Sequence, residues 1–167
     1  MSASRFLFGT LLAISIVYEA WWLAVVVFAL ACCTDAIDGR VARTQGTVSS
    51  FGGKLDHLAD AFFVSIGLLS ASFHGLVPWL LAPFIAIAFT QYLWDSRGQV
   101  DRKLRPSFLG RWNGIGYYIL LGFAIGQQAT EIFLPYLAYV TYWAGWVLVA
   151  STIISMVQRF GQKLGSS

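Results

Sequence analysis

Residues 6–34 read FLFGTLLAISIVYEAWWLAVVVFALACCT, and Glu19 is the only charged side chain among them. This stretch is either one long helix or two short ones turning at 18–20, and the Lys and Arg residues decide between the two. Two helices here give six spans in the whole chain, with both termini and the loops 39–55 and 95–111 on one side. All eleven Lys and Arg residues (Arg5, Arg40, Arg43, Lys54, Arg97, Arg102, Lys103, Arg105, Arg111, Arg159 and Lys163) then fall on that side, while the other keeps only Glu19 and Glu131. Loops rich in Lys and Arg stay cytoplasmic. A single helix would instead carry Arg5 across the membrane and leave Glu19 in the bilayer core, which is costly. The chain is therefore expected to be an all-α integral membrane protein. It should have six transmembrane helices near 4–18, 20–45, 55–73, 77–95, 111–130 and 132–158, with both termini cytoplasmic and one domain over 1–167.

The remainder of the chain agrees. Hydrophobic residues make up 57% and charged residues 11%, against about 25% charged in an average soluble domain. A spanning helix needs roughly 20 mostly apolar residues. Segments 77–94, 112–130 and 132–158 carry no charge, and 58–73 carries only Asp60. No signal-peptide cleavage pattern is visible, so the apolar segments are expected to stay in the mature protein. Cys32 and Cys33 are adjacent in an apolar run and are expected to be buried and reduced, since no second ligand cluster completes a metal site. A net charge of +3 suits membrane orientation and points to no nucleic-acid partner. Trp21, Trp22, Trp79, Tyr136 and Tyr139 read as an aromatic belt at the outer interface.

Chemistry concentrates in residues 34–61, TDAIDGRVARTQGTVSSFGGKLDHLADA. Asp35, Asp38, Gly39, Ala42 and Arg43 have offsets that make one continuous helix face. Gly52, Asp56 and Asp60 follow at intervals of four, again one face. A break near 47–50 turns the two faces toward each other, so that four carboxylates converge at the cytoplasmic edge of the bilayer. Such a cluster resists burial unless cations join it, and Arg43 alone cannot balance four. Oxygen ligands without Cys or His suit Mg²⁺ or Mn²⁺. A pair of such ions roughly 3.5–4 Å apart is a recurring device for phosphoryl chemistry. Gly39, Ala42 and Gly52 leave room for a ligand close to the backbone, and Arg43 can hold phosphate oxygens with its planar fork.

The order Asp35-x2-Asp38-Gly39-x2-Ala42-Arg43-x8-Gly52-x3-Asp56-x3-Asp60 resembles the full signature of the CDP-alcohol phosphotransferase family. At about 1 in 20 per position, eight fixed matches arise by chance on the order of 10⁻⁹ or more rarely. The resemblance implies transfer of a phosphatidyl group from a CDP-linked lipid such as CDP-diacylglycerol to a small polar alcohol, with release of CMP in phospholipid synthesis. It implies two divalent ions, Mg²⁺ or Mn²⁺, held by Asp35, Asp38, Asp56 and Asp60, with Asp60 also the general base for the acceptor hydroxyl. By the same resemblance Gly39, Ala42 and Gly52 line the nucleotide pocket and Arg43 lies near the donor diphosphate. A homodimer in contact with membrane lipids, in a bacterial or archaeal cytoplasmic membrane with its site facing the cytoplasm, completes the expectation. One element departs from the family's pattern. Many members have an Asn and a Thr ahead of an Arg at the first helix. Here Arg5 and Ser2 stand at the Arg and Thr positions, and the Asn position lies before Met1.

The cluster Arg97, Arg102, Lys103, Arg105, Ser107 and Arg111 reads either as a positive-inside loop beside anionic headgroups or as an anion site. On the second reading Arg105 and Arg111 bind a phosphorylated acceptor, with glycerol 3-phosphate favoured over inositol phosphate, inositol or serine. Against that preference, many glycerophosphate enzymes of the family place a Lys after the last Asp, where this chain has Ala61. His57 abuts the site and reads as an interfacial residue, and His74 as an outer-loop residue. Lys54 and Arg40 serve topology, and 159–167 reads as a solvated helix end. Two rivals remain. A prenyltransferase of the UbiA type also uses paired aspartate motifs but has more helices than this length holds. A cation transporter would need acidic groups deeper along a path.

Overall fold

The computed structural model describes residues 2–45, 50–97, 108–130 and 135–164, and side chains within 4–37, 55–94, 109–130 and 136–161. Within these residues the chain is all-helical: α1 (Ser2–Val17), α2 (Trp21–Gln45), α3 (Ser50–Phe73), α4 (Leu81–Arg97), α5 (Phe108–Ala129) and α6 (Pro135–Leu164).

The N-terminal stretch is two helices. Glu19 adopts a left-handed conformation at φ 57°. The Ala20 N–H donates to the Ser15 carbonyl at 2.8 Å and the Glu19 N–H to the Ile16 carbonyl at 3.0 Å. These are the two bonds of a Schellman stop, which satisfies the last carbonyls of α1. The same stop ends α3. Gly75 has φ 68°, with Leu76 N–H to Ala71 O at 3.2 Å and Gly75 N–H to Ser72 O at 3.0 Å. The two stops lie together: His74 Nδ1 is 3.7 Å from Glu19 Oε1, and Trp21 meets the His74 ring edge-on at 5.1 Å.

The largest departures from the sequence expectation lie at three boundaries. Helix α4 begins at Leu81, not 77, because Pro78 bars Val77 from the helical region. Helices α3 and α6 run past their apolar stretches, to Ser50 and Leu164. Hydropathy reports where a helix turns polar, and the hydrogen-bond ladder has no reason to stop there. Segments Leu55–Phe73 and Tyr136–Gly161 are long and apolar enough to cross a membrane, and Ser4–Val17, Trp21–Ile37 and Leu81–Trp94 are shorter apolar stretches.

Helix α1 lies parallel to α3. A methyl group on Gly9 would sit 3.3 Å from the Phe63 Cα, and one on Gly67 would sit 3.2 Å from a Leu12 methyl. The missing side chain at Gly9 therefore brings the two backbones together. Helices α5 and α6 run antiparallel, joined by Ser151 Oγ donating to Asn113 Oδ1 at 2.6 Å and Gln127 Nε2 donating to Thr141 Oγ1 at 2.6 Å. All six helices contribute to one buried apolar cluster, including Leu12, Val27, Phe63, Leu81, Leu121 and Val149. Outside, among the described residues, thirty large apolar side chains remain exposed, Leu7, Ile119 and Val147 among them. A water-soluble monomer rarely shows so much apolar surface; a lipid-facing bundle does.

Trp22, Trp79, Tyr136 and Tyr139 are exposed, whereas Trp21 is half-buried. The cysteines are free, as expected, but are not a buried pair: Cys32 is half-buried and Cys33 exposed. Adjacent helical positions point about 100° apart, so one can face the bundle while the other faces out.

Because a side chain in the left-handed region costs about 1–2 kcal/mol and the exposed Glu19–His74 contact contributes little, Glu19→Gly should raise the thermal midpoint in detergent. Glu19→Val should lower it. Unfolding scans of the two variants against the parent check both signs.

Candidate functional site: an ion cluster beside a cavity

Gly9 decides what Arg5 can reach. One helical turn before Gly9, Arg5 is carried against α3 by the same close approach and is buried, with 8% of its surface exposed. Its guanidinium pairs with Asp35 on α2 through Nη2 and with Asp60 on α3 through Nη1. Nη1 also donates to the Asp56 carbonyl at 3.3 Å. Tyr118 on α5 donates its hydroxyl to Asp60 Oδ1 at 3.0 Å. Both the Arg5 and the Tyr118 contacts fall on Oδ1. The Tyr118 ring is stacked on Phe63, 5.9 Å between centroids and 16° from parallel.

Two cavities flank this cluster. The smaller, about 260 Å³, is lined by Arg5, Ala31, Cys32, Asp35, Phe63 and Tyr118. The larger, about 600 Å³, lies among α3, α4, α5 and α6, and its wall includes Asp60, His57, Tyr92, Arg111, Asn113, Tyr117, Tyr118, Ser155 and Arg159. Its floor is ordered by Tyr117 and Thr152, whose hydroxyls are 2.5 Å apart. The Arg159 guanidinium carbon lies 5.4 Å from the centre of the Tyr92 ring, a cation–π distance, and His57 meets that ring edge-on at 6.0 Å.

Several residues foreseen in the sequence can now be placed. Asp35 and Asp60 come from two helices onto one cation, and Asp56 lies one turn before Asp60 on the same helix. Asp38, Gly39, Ala42 and Arg43 lie on the helical backbone of α2 and Gly52 on that of α3, with side chains outside the described residues; Arg40 and Lys54 fall there too. Arg105 lies outside the described residues, and Arg111 is an exposed part of the larger cavity's wall.

One expectation needs correction. The segment from Arg159 was expected to be solvated, but Arg159 is half-buried against Tyr92 and borders the cavity. The sequence reading also set no cation of helix α1 against the carboxylates, and Arg5 sits between two of them. Tyr118, Tyr92 and Asn113 were not singled out. The available signal was a polar group in an apolar helix, which must find a partner, but spacing along α5 cannot say on which helix.

The carboxylates supply oxygen donors alone, and Arg5 demonstrates that Asp35 and Asp60 stand close enough to share one positive charge. That chemistry fits a hard divalent cation. Among the described residues no group of three His, Cys, Asp or Glu side chains forms a ligand set on its own; the side chain of Asp38, another aspartate of the signature, lies outside the described ones.

The profile described as CDP-alcohol phosphatidyltransferase matches residues 1–156. The chain belongs to this family. A CDP-diacylglycerol–glycerol-3-phosphate 3-phosphatidyltransferase of Cereibacter sphaeroides is 34% identical over 96 residues, 54% of this chain and 43% of that protein. A cardiolipin synthase (CMP-forming) of Homo sapiens is 37% identical over 79 residues, 47% of this chain and 26% of that protein. An archaetidylinositol phosphate synthase of Pyrococcus horikoshii is 40% identical over 57 residues, 34% of this chain and 30% of that protein. The chain thus spans less than half the length of each of these three relatives. No solved structure matches it. CDP-alcohol phosphatidyltransferases are membrane-embedded, which accounts for the apolar exterior of the bundle.

Removing Arg5 leaves two carboxylates facing one another without a counter-charge. Arg5→Met should destabilise the protein by about 1–3 kcal/mol, with the partial exposure of Asp35 and Asp60 holding the loss to the lower half of that range. Arg5→Lys should recover only part of it, since a single ammonium nitrogen cannot stand at both places that the two Nη atoms of the guanidinium fork occupy. Thermal unfolding in detergent orders the three proteins.

Proposed function

We propose that this chain catalyses metal-dependent transfer of a phosphatidyl group from CDP-diacylglycerol to a small polar alcohol, releasing CMP. The observation that carries this reading is Asp60, a carboxylate tethered at Oδ1 and lining a 600 Å³ cavity with Arg111 and Arg159 on its wall. In this mechanism Asp35, Asp38, Asp56 and Asp60 would hold two divalent ions, Mg²⁺ or Mn²⁺, and such ions offset the charge of a diphosphate. Arg43, Gly39, Ala42 and Gly52 would receive the cytidine diphosphate head on the α2 side of the cluster. Asp60 takes the proton of the acceptor hydroxyl, the hydroxyl oxygen bonds to the lipid-proximal phosphorus, and the bond from that phosphorus to the bridging oxygen breaks. CMP leaves with the bridging electrons. Most of the acceleration comes from position and charge.

We place the protein in a bacterial or archaeal cytoplasmic membrane as one domain over 1–167. It has six spans, both termini and the ion cluster at the cytoplasmic side, and a homodimeric assembly. Arg5, near one terminus, and Arg159, near the other, border the same group of side chains at one end of the bundle, which supports an even number of crossings. The eleven cations gathered at that end by the six-span reading give it the cytoplasmic face.

For the acceptor we favour glycerol 3-phosphate. The Cereibacter relative is named for that substrate, and two guanidiniums on the cavity wall suit a phosphate. Ala61, where many glycerophosphate enzymes of the family carry a Lys, argues the other way.

Purified protein with CDP-diacylglycerol should release CMP in Mg²⁺ or Mn²⁺ and stop in excess EDTA. Asp35→Asn, Asp38→Asn and Asp56→Asn should each lose turnover while remaining folded, because an amide brings no charge to the ions. Full rates in EDTA, or in the folded variants, rule the site out. In an acceptor panel, glycerol 3-phosphate should outrun inositol phosphate, inositol and serine. Arg111→Gln or Arg105→Gln should raise the acceptor KM about 10-fold or more with donor affinity spared. Equal rates with non-phosphorylated acceptors would return these arginines to membrane orientation.

A further inference from the structure

The carboxylate at the centre of the site is held from two sides, and only one holder belongs to the ion cluster. Arg5 reaches Asp60 from α1, and Tyr118 reaches it from α5. The Tyr118 ring cannot easily turn away. It is stacked on Phe63 and lies 6.2 Å from the Phe28 ring centre at a tilt of 46°. Phe63 is three residues beyond Asp60 on α3, so the ring that supports the phenol and the carboxylate that receives it share one helix face. Stacking therefore sets where the hydroxyl lands. Tyr118 also lines both the 260 Å³ and the 600 Å³ cavity and forms part of the wall between them.

We infer that Tyr118 is a positioning residue for the transfer reaction: by bonding Asp60 Oδ1 from a ring fixed on Phe63, it leaves Oδ2 as the oxygen presented to the acceptor hydroxyl in the larger cavity. The inference rests on Asp60 acting as the base. A carboxylate held only by Arg5 through Oδ1 can swing about its Cβ–Cγ bond. A second donor on the same oxygen, from another helix, stops that rotation and keeps one lone pair aimed at the cavity. The phenol itself takes no proton in the step. The acceptor proton goes to Oδ2 while the Tyr118 O–H stays bonded to Oδ1.

Tyr118→Phe tests this cleanly, because it keeps the stacked ring and deletes one oxygen. Turnover with CDP-diacylglycerol and the best acceptor should fall about 10- to 100-fold in kcat, the scale of a hydrogen bond to a charged group. Both KM values, directly measured affinity for CDP-diacylglycerol and the thermal midpoint should stay near the parent's. Tyr118→Leu, which removes the stack, should lose stability as well as kcat. Parental kcat in Tyr118→Phe overturns the inference. So does a loss that appears in donor affinity or in the thermal midpoint, because the hydroxyl then serves binding or folding. Asp60→Asn separates this from the underlying assignment. Turnover retained in Asp60→Asn removes the base itself, whereas turnover lost there and kept in Tyr118→Phe refutes only the positioning role.

Discussion

A single guanidinium joins three helices at one end of the bundle. Arg5 on α1 spans the gap between Asp35 on α2 and Asp60 on α3 and also takes the Asp56 carbonyl. Without a cation there, two carboxylates would face each other in a half-buried setting, where like charges resist joint ionisation. Arg5 can serve because Gly9 has no side chain to hold α1 away from Phe63. The packing of the first and third helices and the electrostatics of the site are thus one constraint. A larger residue at position 9 would disturb the ion cluster four residues away as surely as it would the apolar core.

The other half of the site is built by a different rule. Helices α5 and α6 carry Asn113, Tyr117, Ser151 and Thr152, all turned inward and bonded across the helix pair. In a bundle whose exterior is apolar, polar groups have nowhere else to be satisfied. This seam makes one side of the larger cavity polar, and Arg159, braced on Tyr92, extends that character to the rim. Asp60 lies where the seam and the ion cluster meet. Carboxylate, phenol and guanidinium each arrive on a separate helix, so the geometry between them depends on how the helices pack and on no loop.

Much of this was legible in the chain. The turn at 18–20 followed from where eleven cations must lie, and the structure has its Schellman stop there. The spacing of Asp35, Asp38, Asp56 and Asp60 with the interleaved Gly39, Ala42, Arg43 and Gly52 pointed to the family before any comparison did, because eight fixed residue types at fixed intervals seldom coincide by chance. The extent of α3 and α6 was less legible, since hydropathy tracks the solvent around a helix and not its hydrogen bonds. The partnership of Arg5, and the cavity contacts of Tyr118 and Arg159, were not legible at all. Each pairs residues thirty or more positions apart on different helices, and nothing local to either residue encodes the other.

The sequence by itself determined the class of the molecule: its helices, their breaks, and the signature that places it in the CDP-alcohol phosphatidyltransferase family. These are properties of short segments, governed by periodicity, by turn stereochemistry and by the cost of charge in hydrocarbon. Only the tertiary structure decided which cation holds the carboxylates, which oxygen of Asp60 is tethered and which residues wall the cavity beside it. Those outcomes depend on distances between helices, which the small side chain at Gly9 and the stacked rings of Phe63 and Tyr118 set to within a hydrogen bond.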